Sequence, residues 1–307
     1  MNKKNILIIE TPFQLLNAIE AINEFPAKHN TLFVRFSGSK SNDAQLESTL
    51  EKITLPKNVT VKKFTINVTK RTIYDILKIM FFWLRFVLIN RIDGFVFVGD
   101  YRSRFLRLVI PKSPKTILLD DGLSTIHIQA GFNKDYFFNW FTIFELTPFP
   151  GQKIFNNRFK YLNQFTENKS SSKKKVLLFI GSKLAEENIV SEDENVDLVK
   201  KIALKYSDHQ ITYVAHRTES AEKLRKIETI KNIEIIKLNF PLELLPLFGN
   251  FTPFLIVSFF STALITLDKI FQVETIAYRF DYSKSKHHLN IQKAYDYCEK
   301  YIEVKDI

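Results

Sequence analysis

The chain has 307 residues, of which 45% are hydrophobic and 25% charged. That balance excludes a disordered, collagenous or disulfide-scaffold protein, and at about 150 residues per domain it suggests two domains. Lys and Arg number 44 against 33 Asp and Glu, a formal +11, which favours anionic partners: phosphates, nucleotides, acidic lipids or nucleic acid. A lysine excess is also a plain solubility device. The single cysteine, Cys298, rules out an intrachain disulfide and fits a reducing compartment.

The chain opens with Asn5–Glu10, an apolar run that Glu10 breaks and that no small-residue cleavage site follows. It reads as a buried first strand rather than a signal peptide, so the product is expected in the cytoplasm. Pro12 suits the first turn of a helix whose apolar face is Phe13, Leu16, Ala18, Ile19 and Ile22. Strands are expected at Thr31–Phe36, Val59–Phe64, Gly94–Val98 and Thr116–Leu119, with helices at Asp43–Ile53 and Tyr101–Val109. Thr72–Asn90 is apolar, aromatic and interrupted by Lys78 and Arg85. It is shorter than the roughly 20 apolar residues of a membrane span, and reads either as a thickly buried helix or as an amphipathic helix at a membrane interface. Tyr136–Phe149 is a second aromatic cluster, suited to a core, a membrane-facing surface or a subunit interface.

A polar Ser/Lys-rich stretch then breaks the pattern. We take 1–165 as one domain, 166–175 as a linker and 176–307 as the second domain. Strands are expected in the second half at Val176–Ile180, Ile211–Ala215, Ile233–Leu238, Pro253–Val257 and Thr275–Ala277. Helices are expected at Asp193–Tyr206, Glu219–Thr229, Pro241–Phe248, Ser261–Ile270 and Leu289–Lys300. Strands alternating with helices indicate α/β folding on parallel sheets, here two Rossmann-like domains facing across a cleft.

In such sheets ligands bind beyond the carboxyl ends of the strands. The candidate substrate-binding residues are therefore those just after strands: Thr11, Gln14, Gly122, Gly181, Ser182, Glu219, Glu243, Ser261 and Thr262. Asp120 and Asp121 end an apolar strand, where mutual repulsion and burial raise a carboxylate pKa and prepare a general base. An Asp-Gly turn or helix cap is the plain alternative, and a divalent-metal site also stays open. Gly122 permits positive φ. His216 ends another strand, placed to contact a phosphate or to make an ordinary structural hydrogen bond. Ser261 and Thr262 open a helix, as an anion site or simply as its N-cap. Neither a phosphate-binding P-loop nor a G-x-G-x-x-G pattern occurs. Cys/His metal spacing and a nucleophile elbow are also missing, which argues against zinc and acyl-transfer chemistry.

Taken together, these motifs resemble glycosyltransferase family 52, the bacterial lipooligosaccharide sialyltransferases. Thr11-Pro12-Phe13-Gln14-Leu15-Leu16 is similar to that family's Thr-Pro-x-Gln start. Asp120-Asp121-Gly122 is similar to the acidic-Gly motif of bacterial sialyltransferases, His216 with Glu219 to their His-Pro motif, and Ser261-Thr262 to their paired hydroxyls. Gly181–Glu186 and Pro241–Glu243 sit where the family has similar segments. Arg217 departs from the pattern, standing where the family usually has Pro.

The resemblance implies a GT-B fold and inverting transfer of sialic acid or a related sugar from a CMP-activated donor. It implies Asp120 as base and Asp121 as its orienting neighbour. His216 would bind the phosphate and assist its departure, Ser261 and Thr262 would hydrogen-bond that phosphate, and Glu243 would bind the ribose. No metal or cofactor is implied; the CMP-sugar is a co-substrate. The acceptor is expected to be a glycan or glycolipid of lipooligosaccharide or capsule. The protein is expected at the inner face of the cytoplasmic membrane, in peripheral contact with its acidic surface, with a homodimer open through Tyr136–Phe149. CMP-Kdo, another CMP-nonulosonate and a UDP-sugar are the alternative donors. A nucleic-acid or anion binder is the non-catalytic alternative, though the scattered Lys and Arg do not form the stripe a nucleic acid needs.

Overall fold

Every position of Asn5–Ile9 is buried, which is why the first strand reads as a continuous apolar run: a parallel strand covered on both faces has no polar side. The computed structural model describes all residues except 1–2, 67–72, 85–92, 100, 102, 110–112, 114, 123–124, 127, 129–137 and 168–173. These divide into two units, Met1–Tyr161 and Leu162–Ile307.

The first unit holds β1 (Lys4–Ile9), α1 (Pro12–Glu24), β2 (His29–Phe36), α2 (Lys40–Lys52), β3 (Val59–Thr65), α3 (Ile73–Leu84), β4 (Val96–Val98), α4 (Arg104–Val109), β5 (Thr116–Leu119), β6 (Asn139–Thr142) and β7 (Ile154–Asn156). Its strands pair in parallel in the order β3-β2-β1-β4-β5-β6-β7. The order reverses direction between β1 and β4, the switch point at which open sheets leave a crevice.

Helix α5 (Lys160–Glu167) crosses the boundary between the units. The second unit continues with β8 (Lys174–Ile180), α6 (Glu192–Lys205), β9 (Ile211–Val214), α7 (Ala221–Glu228) and β10 (Ile233–Ile236). After a 3-10 turn at Leu242–Leu244 come α8 (Leu245–Phe248), β11 (Phe251–Ser258), α9 (Thr262–Phe271), β12 (Glu274–Arg279), α10 (His288–Cys298) and β13 (Glu303–Asp306). All pairs are again parallel, in the order β10-β9-β8-β11-β12-β13, with the switch between β8 and β11. Pro253 cannot donate to the ladder, and the register shifts between Pro253 and Leu255, a bulge that leaves Phe254 exposed.

The fold class is as the sequence indicates: two parallel-sheet Rossmann-like units. Three local readings are narrowed or changed. Of the Tyr136–Phe149 cluster, Phe138, Trp140, Phe141 and Phe144 are buried and Asn139–Thr142 is an inner strand. These residues are core, not a dimer surface; Tyr136 and Phe137 lie outside the described residues. The segment read as linker begins as the end of α5 and finishes as the start of β8, and its residues 168–173 lie outside the described residues. Helix α3 is not thickly buried, since Ile73, Tyr74, Ile76, Leu77, Met80 and Phe81 are exposed. The rest of the Thr72–Asn90 stretch, 72 and 85–90, is outside the described residues. Part of the phenylalanine excess has a packing use: the Phe25 ring lies within 5.6 Å of the rings of Phe95, Phe97, Phe141 and Phe155.

Candidate active site

In the first unit the carboxyl ends of β1, β4 and β5 carry one connected arrangement. Thr11, in extended conformation, caps α1 by accepting the Gln14 amide N–H (3.2 Å), and Pro12 occupies the first turn, where its lack of an N–H costs nothing. The Gln14 side chain is buried. Its Oε1 accepts the Glu10 N–H (2.8 Å), and its Nε2 donates to Asp121 Oδ1 (3.2 Å). Gly99 makes room for this: a Cβ there would fall 2.0 Å from Gln14 Oε1. Gln14, expected to contact substrate, is enclosed and spends its amide on Glu10 and Asp121.

Asp120 is 0% exposed. Its Oδ2 accepts the Ile143 amide (2.8 Å), and its carbonyl accepts from buried Asn17 Nδ2 (3.3 Å). Burial pushes its carboxyl up to about 7; hydrogen bonding from Thr142, Ile143 and Thr125 opposes the rise, and the charge of Asp121 adds to it. No Lys or Arg among the described residues pairs with it. Asp121 is half-buried, and its amide donates to Thr125 Oγ1 (3.0 Å). Gly122 has φ +64°, the left-handed conformation its glycine allows. Asp120 was expected to meet the acceptor, but it is the enclosed member of the pair; Asp121 is the one reached from outside. Behind them Glu10, at the end of β1, accepts from Ser103 Oγ (3.0 Å) and pairs with buried Arg35, whose Nη2 also donates to the Ile66 carbonyl (3.1 Å).

In the second unit the ends of β8 and β9 are tied by a buried ion network. Lys223 Nζ, on α7, lies within 3.0 Å of Ser182 O, Glu186 Oε2, Asn195 Oδ1 and Glu219 Oε1, and its side chain is 0% exposed. Glu219 Oε1 also accepts the Tyr213 hydroxyl (2.6 Å), and Glu219 Oε2 accepts the His216 N–H (2.5 Å). Burial raises the Glu219 carboxyl against the pull of Tyr213 and Lys223. A Cβ on Gly181 would meet Glu219 Oε2 at 2.4 Å, so this glycine serves the close approach of a carboxylate. Of the expected substrate contacts here, Glu219 is enclosed and accepts the His216 N–H, and Gly181 lies against it.

His216 itself is half-buried. Its Nδ1 lies 2.8 Å from Thr218 Oγ1 and accepts the Thr218 N–H (3.3 Å). An amide can only donate, so Nδ1 is the acceptor and the ring proton sits on Nε2. Burial, then the charges of Arg217 and Lys183, lower the imidazole pKa, which favours this neutral form. Ser182 is buried beside the Lys223 network, and its Oγ has no hydrogen-bond partner among the described residues. Ser258 Oγ donates to the Ile180 carbonyl (2.7 Å), tying β11 to β8 at the switch point. Ser261 caps α9 by accepting the Ala263 N–H (3.2 Å). Thr262 is the first residue of α9, and its side chain is outside the description. Glu243 lies in the 3-10 turn, half-buried, with its carboxyl raised by burial. Neither Ser261 nor Glu243 bonds to the Lys223 network.

Lys223, Tyr213, Asn17 and Arg35 escaped the sequence reading. Lys223 carried a signal: it is four residues after Glu219 and four before buried Ile227, which puts it on the inward row of its helix. Among the described residues no three of His, Cys, Asp and Glu gather into a metal-holding group.

A family profile for alpha-2,8-polysialyltransferases matches residues 5–279. The chain belongs to the alpha-2,8-polysialyltransferase family. The expected kinship with sialyltransferases therefore stands, and with it the class of glycosyltransferase, though the family that matches is not glycosyltransferase family 52. A search of curated proteins returns no significant match. Among solved structures the chain is similar to Arabidopsis thaliana UGT89C1 complexed with UDP-L-rhamnose, at TM-score 0.54 and 8% identity over 100% of this chain and 85% of that one. It is also similar to the UDP-GlcNAc 2-epimerase of Methanocaldococcus jannaschii, at TM-score 0.53 and 15% identity over 99% and 88%. A third is a putative UDP-N-acetylglucosamine 2-epimerase from Listeria monocytogenes, at TM-score 0.51 and 12% identity over 90% and 79%. At such identities these likenesses speak for the fold alone.

Proposed function

We propose that this member of the polysialyltransferase family is an inverting sialyltransferase. It moves sialic acid or a related sugar from a CMP-activated donor to a hydroxyl of a glycan or glycolipid acceptor of capsule or lipooligosaccharide. The observation that carries the reading is the acidic pair after β5, one carboxyl enclosed and raised to about 7, the other half-exposed and aimed by Gln14. Such a pair suits proton removal from an alcohol near neutral pH.

In the proposed reaction the acceptor oxygen bonds to the anomeric carbon of the donor. The bond from that carbon to the phosphate oxygen breaks, and its electron pair leaves with CMP. Asp121, the carboxylate reached from outside, takes the acceptor proton. Asp120 sits behind it as the positioning partner, its charge increasing the basicity of Asp121 when ionised. This exchanges the roles that the family resemblance implied for the two.

His216 presents Nε2–H as a hydrogen-bond donor to the CMP phosphate, and Ser261, Thr262 and the start of α9 add further donors. The phosphate's negative charge favours imidazolium, so binding raises the lowered pKa of His216. A phosphate monoester has its second pKa at about 6, so CMP leaves without needing a full proton from the imidazole. Glu243 is assigned to the ribose hydroxyls. No resident cofactor or metal takes part in this scheme.

The test is a thermal-shift panel of CMP, UDP and GDP. CMP is expected to raise the melting temperature, and His216→Ala is expected to weaken the effect. Stabilisation by UDP and not by CMP overturns the donor assignment.

A further inference from the structure

One surface of the first unit lies outside this chemistry. On α3, Ile73, Tyr74, Ile76, Leu77, Met80 and Phe81 are all at least 50% exposed. Their spacing sets 73, 76, 77 and 80 in one row, with 74 and 81 beside it, so they form a continuous apolar stripe. The inward side of the helix is held independently: Asp75 is buried, and Ile79 packs against the core formed by β1, β4 and α4. A side chain as apolar as Phe81, left in water, forgoes burial worth roughly 1.5–3 kcal/mol, and a stripe of six marks an interaction surface rather than scatter.

The charge around the stripe selects its partner. Between Lys70 and Arg91 the sequence contains Lys70, Arg71, Lys78, Arg85 and Arg91, and Asp75 is the sole acid. Lys78 is exposed on α3 itself, with Nζ 3.5 Å from the Thr65 carbonyl, and Arg107 is exposed on neighbouring α4. The chain as a whole carries +11. Two copies meeting through this face would bring like charges together. An anionic bilayer offers apolar depth to the stripe and counter-charge to the lysines and arginines at once. A helix of 12 residues is about 18 Å long at 1.5 Å per residue, short of the ~30 Å hydrocarbon core. No helix among the described residues is long and apolar enough to cross a membrane, so α3 would lie in the plane of the interface.

We propose that the exposed face of α3 docks the protein on an anionic phospholipid surface, inserting Ile76, Leu77, Met80 and Phe81 into the headgroup–acyl boundary. This inference does not rest on the proposed reaction.

The test is co-sedimentation of the full chain with vesicles of phosphatidylcholine alone and with added phosphatidylglycerol, at low and high salt. Wild type is expected on the anionic vesicles and largely free of the neutral ones, with binding weakened by salt. The double variant Ile76→Glu, Phe81→Glu is expected to lose at least tenfold in partitioning while keeping its melting temperature. Leu204→Glu, at an exposed leucine on α6, is the control expected to bind as wild type does. Lys78→Glu is expected to lose less than the double variant. Equal partitioning of the double variant and wild type, or no wild-type binding to anionic vesicles, overturns the proposal. So does a concentration-dependent dimer in solution that the double variant abolishes, which assigns the face to a second copy.

Discussion

Asp120 and Glu219 are both enclosed carboxylates at the carboxyl edge of a parallel sheet, one in each unit, and the charges beside them differ in sign. Glu219 has buried Lys223 at 2.9 Å and the Tyr213 hydroxyl at 2.6 Å. Asp120 has the Ile143 amide and nearby threonines, with Asp121 adding negative charge beside it. Burial raises both carboxyls; at Glu219 the Lys223 ammonium and the Tyr213 hydroxyl oppose the rise, whereas at Asp120 no cation among the described residues does. The first arrangement ties the His216 loop to the buried Lys223 network, and the second leaves an enclosed carboxyl raised to about 7 beside a half-exposed one.

The comparison can be broken at four points. The largest effect is expected from Asp121→Asn, which removes the accessible carboxylate. Turnover should fall by about 10²–10⁴-fold while calorimetric CMP affinity stays within a few-fold of wild type. A parallel loss of CMP affinity moves Asp121 out of the base role.

Next comes Lys223→Met, which strands Glu219 and Glu186 without their cation. Breaking one partner of a buried pair costs about 3–5 kcal/mol, read as a large drop in denaturant midpoint. Pairing it with Glu219→Gln should recover part of the loss. If Lys223→Met alone is as stable as wild type, the network is not the anchor described here.

Asp120 supplies the third. Its folded pKa, about 7, lies above the unfolded value of about 3.9, so folding favours the protonated form. The associated stability is present below pH ~3.9 and is lost as pH rises to about 7, amounting to about 4 kcal/mol at 1.36 kcal/mol per pKa unit. Asp120→Asn mimics the protonated form and should flatten that part of the stability–pH curve. A variant with the wild-type pH dependence shows that Asp120 does not titrate there.

The smallest effect is expected from His216→Ala, which removes one hydrogen bond to a charged phosphate, about 1.5–3 kcal/mol. CMP affinity should fall about 10- to 100-fold with the fold intact. Unchanged affinity removes His216 from the phosphate site.

Much of the fold was legible because buried parallel strands write themselves as apolar runs; Ile6–Ile9 and Val176–Ile180 are unmistakable. Asn139–Thr142 was not legible, since Asn-Trp-Phe-Thr lies in a stretch aromatic throughout and has no alternation to mark a strand. Glu303–Asp306 escaped because an edge strand of Glu, Val, Lys and Asp has no apolar run. The strand-end rule and the motifs named residues at the strand ends, but they did not separate enclosed side chains from accessible ones. Gln14, Gly181 and Glu219 look like contacts in a one-dimensional reading. Only the closeness of Gly99 to Gln14, and of Gly181 to Glu219, shows them enclosed. Lys223 received no reading from the sequence; its four acceptors are seen only in the structure.

The most direct test of the account is to supply CMP-sialic acid with a sialylated glycan acceptor and follow both products by mass spectrometry. The account predicts acceptor-dependent release of CMP and extension of the glycan by one or more sialic acid residues, both lost in Asp121→Asn. Release of nucleotide from a UDP-sugar and none from CMP-sialic acid, or full turnover by Asp121→Asn, would contradict it.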